Sequence, residues 1–167
     1  TLEHISQEYG VFGSTDYRDP AAEIIHKNGS RISDFRYDSF LIQKGKPCLP
    51  GLPATYTEDD SEAQTLTLIL KDPVNGLMLK LFYTIFSEGG IIARSAAFMN
   101  EGPEDLHLAR AMSLCMDLPD RNYEFVHFSG AWGRERHMKT RVLEQGIQSV
   151  GSVRGHSSHN HNPFIML

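Results

Sequence analysis

Apolar and polar residues alternate along most of the chain with a period of two, and Asn-Gly, Pro-x-Asn-Gly and Glu-Gly breaks separate the alternating runs. This is the pattern of strands joined by hairpin turns. Residues 23–27 and 31–43 flank Asn28-Gly29, a pair suited to the positive φ angles of a tight turn, and are expected to form an antiparallel pair. Leu66, Leu68 and Leu70 alternate with threonines until Asp72-Pro73-Val74-Asn75-Gly76. Leu77, Leu79, Leu81, Tyr83 and Ile85 then resume the alternation, predicting a second hairpin. Its second strand carries Met78, Phe82 and Phe86 on the opposite face, and a strand apolar on both sides belongs inside a packed sandwich. A further strand is expected over 91–99. The spacing of Leu106, Leu108, Met112, Leu114, Met116 and Leu118 predicts another over 106–118. Residues 44–60, rich in Gly and Pro and ending in acidic residues, read as a loop. No convincing amphipathic helix longer than two turns is visible, so the expected architecture is an all-β sandwich of many strands.

Composition narrows the partners. With 167 residues, 40% of them hydrophobic, the chain is long enough for one domain with a real core. A formal net charge of −5, with scattered lysines and arginines, opposes a nucleic-acid or anionic-membrane surface. Two cysteines, Cys48 and Cys115, are too few to define a stapled secreted scaffold and read as reduced thiols. No apolar run approaches a membrane span and no signal-peptide pattern opens the chain, so a cytoplasmic protein is expected. Both ends, Thr1 and the apolar residues 163–167, read as cut from a longer polypeptide.

The residues that carry chemistry are few. Trp132, the sole tryptophan, lies between Gly130 and Gly133, which let the backbone turn tightly and leave room for a presented indole. In an extended segment Trp132, Arg134 and Arg136 share one face, combining an aromatic plate with two guanidinium forks. Sugars bind to that mixture: C–H faces stack on a ring while charged or amide groups hold the hydroxyls. On residue types alone, a core Trp132 with Arg134 and Arg136 in ion pairs is the commoner arrangement. His156, His159 and His161 form His-x-x-His-x-His, but no cysteine or carboxylate stands nearby to complete a metal shell, so a structural loop role is expected and no metal or cofactor. Glycoside hydrolysis needs two carboxyl groups about 5 to 10 Å apart. Asp59-Asp60 and Asp117 to Asp120 are explained by loop and turn chemistry, so no catalytic constellation is expected in this chain.

Ordered motifs run over nearly the whole chain: Tyr9-Gly10-Val11-Phe12-Gly13-Ser14-Thr15-Asp16-Tyr17-Arg18-Asp19-Pro20-Ala21, Asn28-Gly29-Ser30, Asp34-Phe35-Arg36-Tyr37, Gly45-Lys46-Pro47, Gly51-Leu52-Pro53-Ala54-Thr55-Tyr56, Arg94-Ser95 and Asp117-Leu118-Pro119. Gly130-Ala131-Trp132-Gly133-Arg134-Glu135-Arg136 follows, then Arg154-Gly155-His156-Ser157-Ser158-His159 and Asn162-Pro163-Phe164. Together they resemble the family 36 glycoside hydrolases, the microbial α-galactosidases. The resemblance implies that residues 1–167 are a single N-terminal β-supersandwich domain, galactose-mutarotase-like, with the (β/α)8 barrel that bears the catalytic aspartates absent. It implies that the parent is a retaining α-galactosidase acting on galactose-terminated sugars such as melibiose and raffinose. It also implies a sugar-pocket role for Trp132, with His159 belonging to the shared pattern, and a homo-oligomer, tetrameric in the parent. The motif match thus favours a presented Trp132 over a core one. A free-standing carbohydrate-binding sandwich is the alternative reading, and a purely structural lid or oligomer surface is a third.

Overall fold

The computed structural model describes residues 5–13, 18–51 and 54–167, and its contacts divide the chain into two compact units, Thr1–Asp117 and Leu118–Leu167. The motif residues Ser14 to Tyr17, Leu52 and Pro53 lie outside the described residues. Among the described residues the chain is all-β and antiparallel in its strand ladders, with one short 3-10 turn at Asp60–Glu62 and no helix long and apolar enough to cross a membrane.

The first unit contains β1 (Ala22–Ile25), β2 (Arg36–Lys44), β3 (Ala63–Lys71), β4 (Leu77–Phe86), β5 (Ile92–Asn100) and β6 (His107–Ala111). β2, β3, β4 and β5 form one sheet in that order, while β1 pairs with β6 in a second. The β3–β4 hairpin is the one the alternation predicts, with Leu66 opposite Tyr83, Leu68 opposite Leu81 and Leu70 opposite Leu79. β4 is buried on both faces over Leu77, Met78 and Leu79. The core face packs Leu77, Leu79 and Leu81 with Tyr9, Ala21, Ala22 and Ile24, so the β1 segment closes over the four-stranded sheet. On the opposite face Thr65 and Thr84 are buried and share a hydroxyl contact of 2.8 Å, and Thr65 Oγ1 donates to the Gly45 carbonyl at 2.7 Å. Each hydroxyl therefore has a partner within the buried layer.

Two expectations are corrected here. The Asn28-Gly29 turn exists: Gly29 has φ 82°, its N–H donates to the His26 carbonyl, and the His26 N–H donates to the Ser30 carbonyl. It does not join paired strands. Ala22 and Ile24 are drawn into the core beside β6, residues 31–35 form no strand, and β2 pairs with β3 instead. The second correction concerns 106–118, where the strand stops at Ala111. Its partner ends there. Ala22 lies opposite Ala111, the Met112 N–H reaches the Ala21 carbonyl, and the residue before is Pro20, which has no N–H to offer.

The second unit is a three-stranded sheet in the order β8-β7-β9, with β7 spanning Glu124–Ala131, β8 Arg134–Val142 and β9 His161–Met166. One face stacks Phe125 against His127, with the Arg141 guanidinium 4.8 Å from the Phe125 ring centroid. The other brings Phe128 against Phe164 at 5.7 Å.

Candidate functional site

β7 and β8 are joined by a loop of only two residues, Trp132 and Gly133, with Ala131 opposite Arg134. Gly133 has φ 75°, whereas the only non-glycine residues with positive φ among those described are Asn122 and Arg136. A positive φ confined to the third turn residue matches a type II turn, in which glycine carries no steric penalty. Trp132 is left at the hairpin tip, 87% exposed. Within this chain the ring is thus presented, as the motif match favoured, and not placed in the core, the arrangement commoner on residue types alone. Burying an indole needs a concave neighbour, and a two-residue turn projects it away from its own sheet.

The shared face of Trp132, Arg134 and Arg136 is also corrected. Ser129 pairs with His137 and Ala131 with Arg134, so Glu135 and Arg136 together oppose the single residue Gly130. This is a β-bulge, and Arg136 adopts φ 57° within it. The alternation breaks there, and Arg134 instead joins Ser129, Gly130, Ala131, His137 and Lys139 around an open groove of about 360 Å³.

At Gly130 the backbone is crowded on both sides. A Cβ built on it would stand 2.6 Å from the Arg134 carbonyl oxygen, 2.7 Å from that of His159 and 2.9 Å from the Glu135 Cα. Its N–H donates to the Asn160 carbonyl at 3.0 Å. The two distant motif segments therefore meet: the His159-Asn160 backbone lies against one side of the hairpin base, and residues 134–135 against the other. His159 contributes its carbonyl to this packing, and its side chain is exposed. His156 Nδ1 contacts the Ser157 carbonyl at 2.7 Å, and His161 lies in β9 with its ring centroid 6.5 Å from that of His127. No group of three or more His, Cys, Asp or Glu side chains among the described residues is arranged to hold a metal ion.

Glu135 is the residue the alternation did not single out. Its Oε1 accepts the Gly133 N–H at 3.0 Å. That amide, then Glu135's own amide, hold the carboxyl below the usual glutamate value, with smaller contributions from His159 and Arg136. The readable signal was a carboxylate two residues after a turn glycine.

The remaining carboxylates of interest are engaged in local structure. Asp59 caps the 3-10 turn by accepting the Ser61 N–H at 2.7 Å, while Glu62 reaches back to the Asp59 N–H at 3.3 Å. Asp117 accepts the Gln7 N–H at 2.7 Å and pairs with Arg18. Asp120 accepts the Asn122 N–H at 3.0 Å.

Sheets of this kind, with an indole on a hairpin tip and these carboxylates bound into turns, define an all-β sandwich domain that presents a side chain outward. The whole chain, residues 1–167, matches the glycosyl hydrolase family 36 N-terminal domain, and the chain belongs to that family. It is similar to the α-galactosidase AgaA of Geobacillus stearothermophilus, 47% identical over 167 residues, which are 100% of this chain and 23% of that protein. Against α-galactosidase 1 of Pediococcus pentosaceus the identity is 39%, covering 98% of this chain and 22% of the relative. The crystal structure of the Geobacillus enzyme superposes with a TM-score of 0.93 over 99% of this chain and 23% of its own. The α-galactosidase of Lactobacillus brevis superposes at 0.88, with 44% identity over 95% of this chain and 21% of its own. The chain thus spans less than a quarter of the length of these relatives.

Proposed function

We propose that this chain is the non-catalytic N-terminal sandwich domain of a retaining α-galactosidase. The enzyme hydrolyses terminal α-linked galactose in sugars of the melibiose and raffinose type, and Trp132 supplies one wall of its sugar pocket. The observation that carries this reading is the position of Trp132, an exposed ring on a glycine-flanked two-residue turn. Membership of the family supports it, as do the Geobacillus relative's structures in complex with raffinose and with stachyose. The catalytic aspartates belong to the barrel of the parent enzyme, and Asp59, Asp117 and Asp120 are occupied with turns and bracing, so the 167-residue chain alone is expected to turn over no galactoside. The parent is read as a cytoplasmic homo-oligomer, a tetramer to whose assembly this domain contributes; two free cysteines, Cys48 and Cys115, are in keeping with a reducing compartment.

The test is Trp132→Ala in the full-length enzyme. Loss of a stacking contact is expected to lower kcat/KM on raffinose by about 1 kcal/mol, roughly fivefold. An unchanged kcat/KM would remove Trp132 from the pocket. The exposure of the ring also favours a second reading, a free-standing carbohydrate-binding module. Titration of galactose and raffinose into the 167-residue chain, followed by fluorescence of its single indole, separates the two. A saturable change supports the module, and none up to tens of millimolar supports a pocket completed only by the parent's barrel.

A further inference from the structure

We infer that Glu135 is a positioning residue for Trp132: its carboxylate holds the hairpin turn in the single backbone form that presents the indole to the sugar. The inference rests on the pocket role proposed for Trp132 and adds the group that sets its geometry.

Type I and type II turns differ by rotation of one peptide plane, the bond between the two central residues. That rotation changes ψ of the first central residue by about 150° and reverses the sign of φ at the second. Here the bond is Trp132–Gly133. Glycine at the second position tolerates either sign of φ, so the residue type alone leaves the plane free to flip. The structure shows what fixes it. Gly133 has φ 75°, and its N–H, which belongs to that plane, donates to Glu135 Oε1 at 3.0 Å. Flipping the plane would turn this N–H away and abandon a hydrogen bond to a charged acceptor. Because the preferred χ1 of a side chain depends on its own backbone φ and ψ, fixing ψ of Trp132 also narrows the orientations of its ring.

The bulge explains why the carboxylate reaches. With Glu135 and Arg136 opposing Gly130 alone and Arg136 at φ 57°, the strand is re-aimed just beyond the turn. The Glu135 Cα rests against Gly130, at 2.9 Å from where a Cβ would stand, so the root of the side chain is fixed by packing while its carboxylate returns to the tip. Nothing lies within 4 Å of a Cβ built on Gly133, so the tip has no packing of its own to hold it. The ionised state of Glu135 is favoured by the same amide contacts, with Arg136 and His159 adding to it. The ring is then ordered before the sugar arrives, and the ordering cost is not charged to binding.

The experiment uses the full-length enzyme as wild type, Trp132→Ala, Glu135→Ala, the double variant and Glu135→Gln. Glu135→Ala is expected to lower kcat/KM on raffinose by about three- to tenfold, mainly through KM, as loss of preorganisation does. In the Trp132→Ala background it should cost nothing further, because its effect passes through the ring. Glu135→Gln keeps an acceptor oxygen and should recover most of the loss. Hydrogen exchange of the peptide containing residues 130–136 should be faster in Glu135→Ala and near wild type in Glu135→Gln. Additive losses in the double variant, or unchanged exchange in Glu135→Ala, overturn the inference. Faster exchange in Glu135→Ala combined with an unaffected Trp132→Ala enzyme overturns the pocket role of the ring and leaves the turn contact standing, so the two failures are told apart.

Discussion

Gly130→Ala is expected to cost about 3 kcal/mol of stability, the upper end of what overpacking does, because the added methyl has no side chain to displace. Two of its three nearest neighbours are carbonyl oxygens, of Arg134 and His159, and the third is the Glu135 Cα, all within 3.0 Å. Relief requires the β7 backbone to part from β8 on one side or from the 159–160 segment on the other, and the second movement breaks the hydrogen bond from Gly130 to Asn160. Urea unfolding of the 167-residue chain followed by circular dichroism measures the loss, and hydrogen exchange should place it in residues 118–167. Gly133→Ala is the control. Its Cβ would meet nothing, so only the positive φ opposes it, at about 1 kcal/mol. Equal effects of the two substitutions would mean that the crowding at Gly130 relaxes freely.

Asp72→Ala should cost a similar amount, for a different reason. Asp72 is 2% exposed and accepts four donors: the backbone N–H groups of Val74 at 2.9 Å, Asp34 at 3.1 Å and Asn75 at 3.3 Å, and the Asn75 side-chain amide at 3.2 Å. One carboxylate thus organises the β3–β4 turn and ties it to the segment leading into β2. Removing it strands several amides near or below the surface, at about 3 kcal/mol in total given 1 to 3 for an orphaned buried group. Burial pushes the carboxyl upward, but the hydrogen bonds from Asp34, Val74 and Asn75 together outweigh it and hold the group below its ordinary value. A depressed folded pKa gives stability that is fully present above the unfolded value, about 3.9, and is lost as pH falls through the folded value. The gap in urea midpoint between wild type and Asp72→Ala should therefore be wide at pH 7 and shrink steadily below pH 4. A gap independent of pH would assign the effect to turn geometry instead of charge.

The same turn shows what sequence reading captured. Asp72-Pro73-Val74-Asn75-Gly76 joins strands that are neighbours in the sheet, so turn chemistry and alternation agree, and the β3–β4 register follows from them. Asn28-Gly29 carries an equally strong turn signal, and the turn is there, but the chains leaving it go to different sheets. A turn is fixed by two or three residues; the partner of a strand is fixed by whatever buries its apolar face, and for β1 that is β6 and the leucines of β4. The run beyond Ala111 failed for a related reason: Met112, Leu114, Met116 and Leu118 alternate but remain exposed, with Pro20 ending the ladder they would have extended. At the candidate site, the flanking glycines suited a presented Trp132, but residue types alone favoured a core ring, and it was the family motif that turned the reading toward presentation. The bulge that separates Arg136 from Arg134, and that turns Glu135 back to the tip, leaves no mark in residue type, since it arises from two strands disagreeing in length by one residue.

The pairing of β1 with β6 also sets a clock. Tyr9 donates to the Met112 carbonyl at 2.5 Å, Arg110 pairs with Asp19 at 2.5 Å, and Gln7 is held by Asp117, so many of the polar contacts of the first part of the chain go to its 107–117 stretch. The β3–β4 and β4–β5 hairpins close short loops and can form as soon as they are made, whereas contacts this far apart come late. At ribosomal rates of roughly 5–20 residues per second, the opening segment waits on the order of ten seconds for its partner to be synthesised. Through that interval Tyr9, Ala22 and Ile24, all buried in the finished domain, can meet the leucines of β4 but lack the cover that β6 and the residues after it supply.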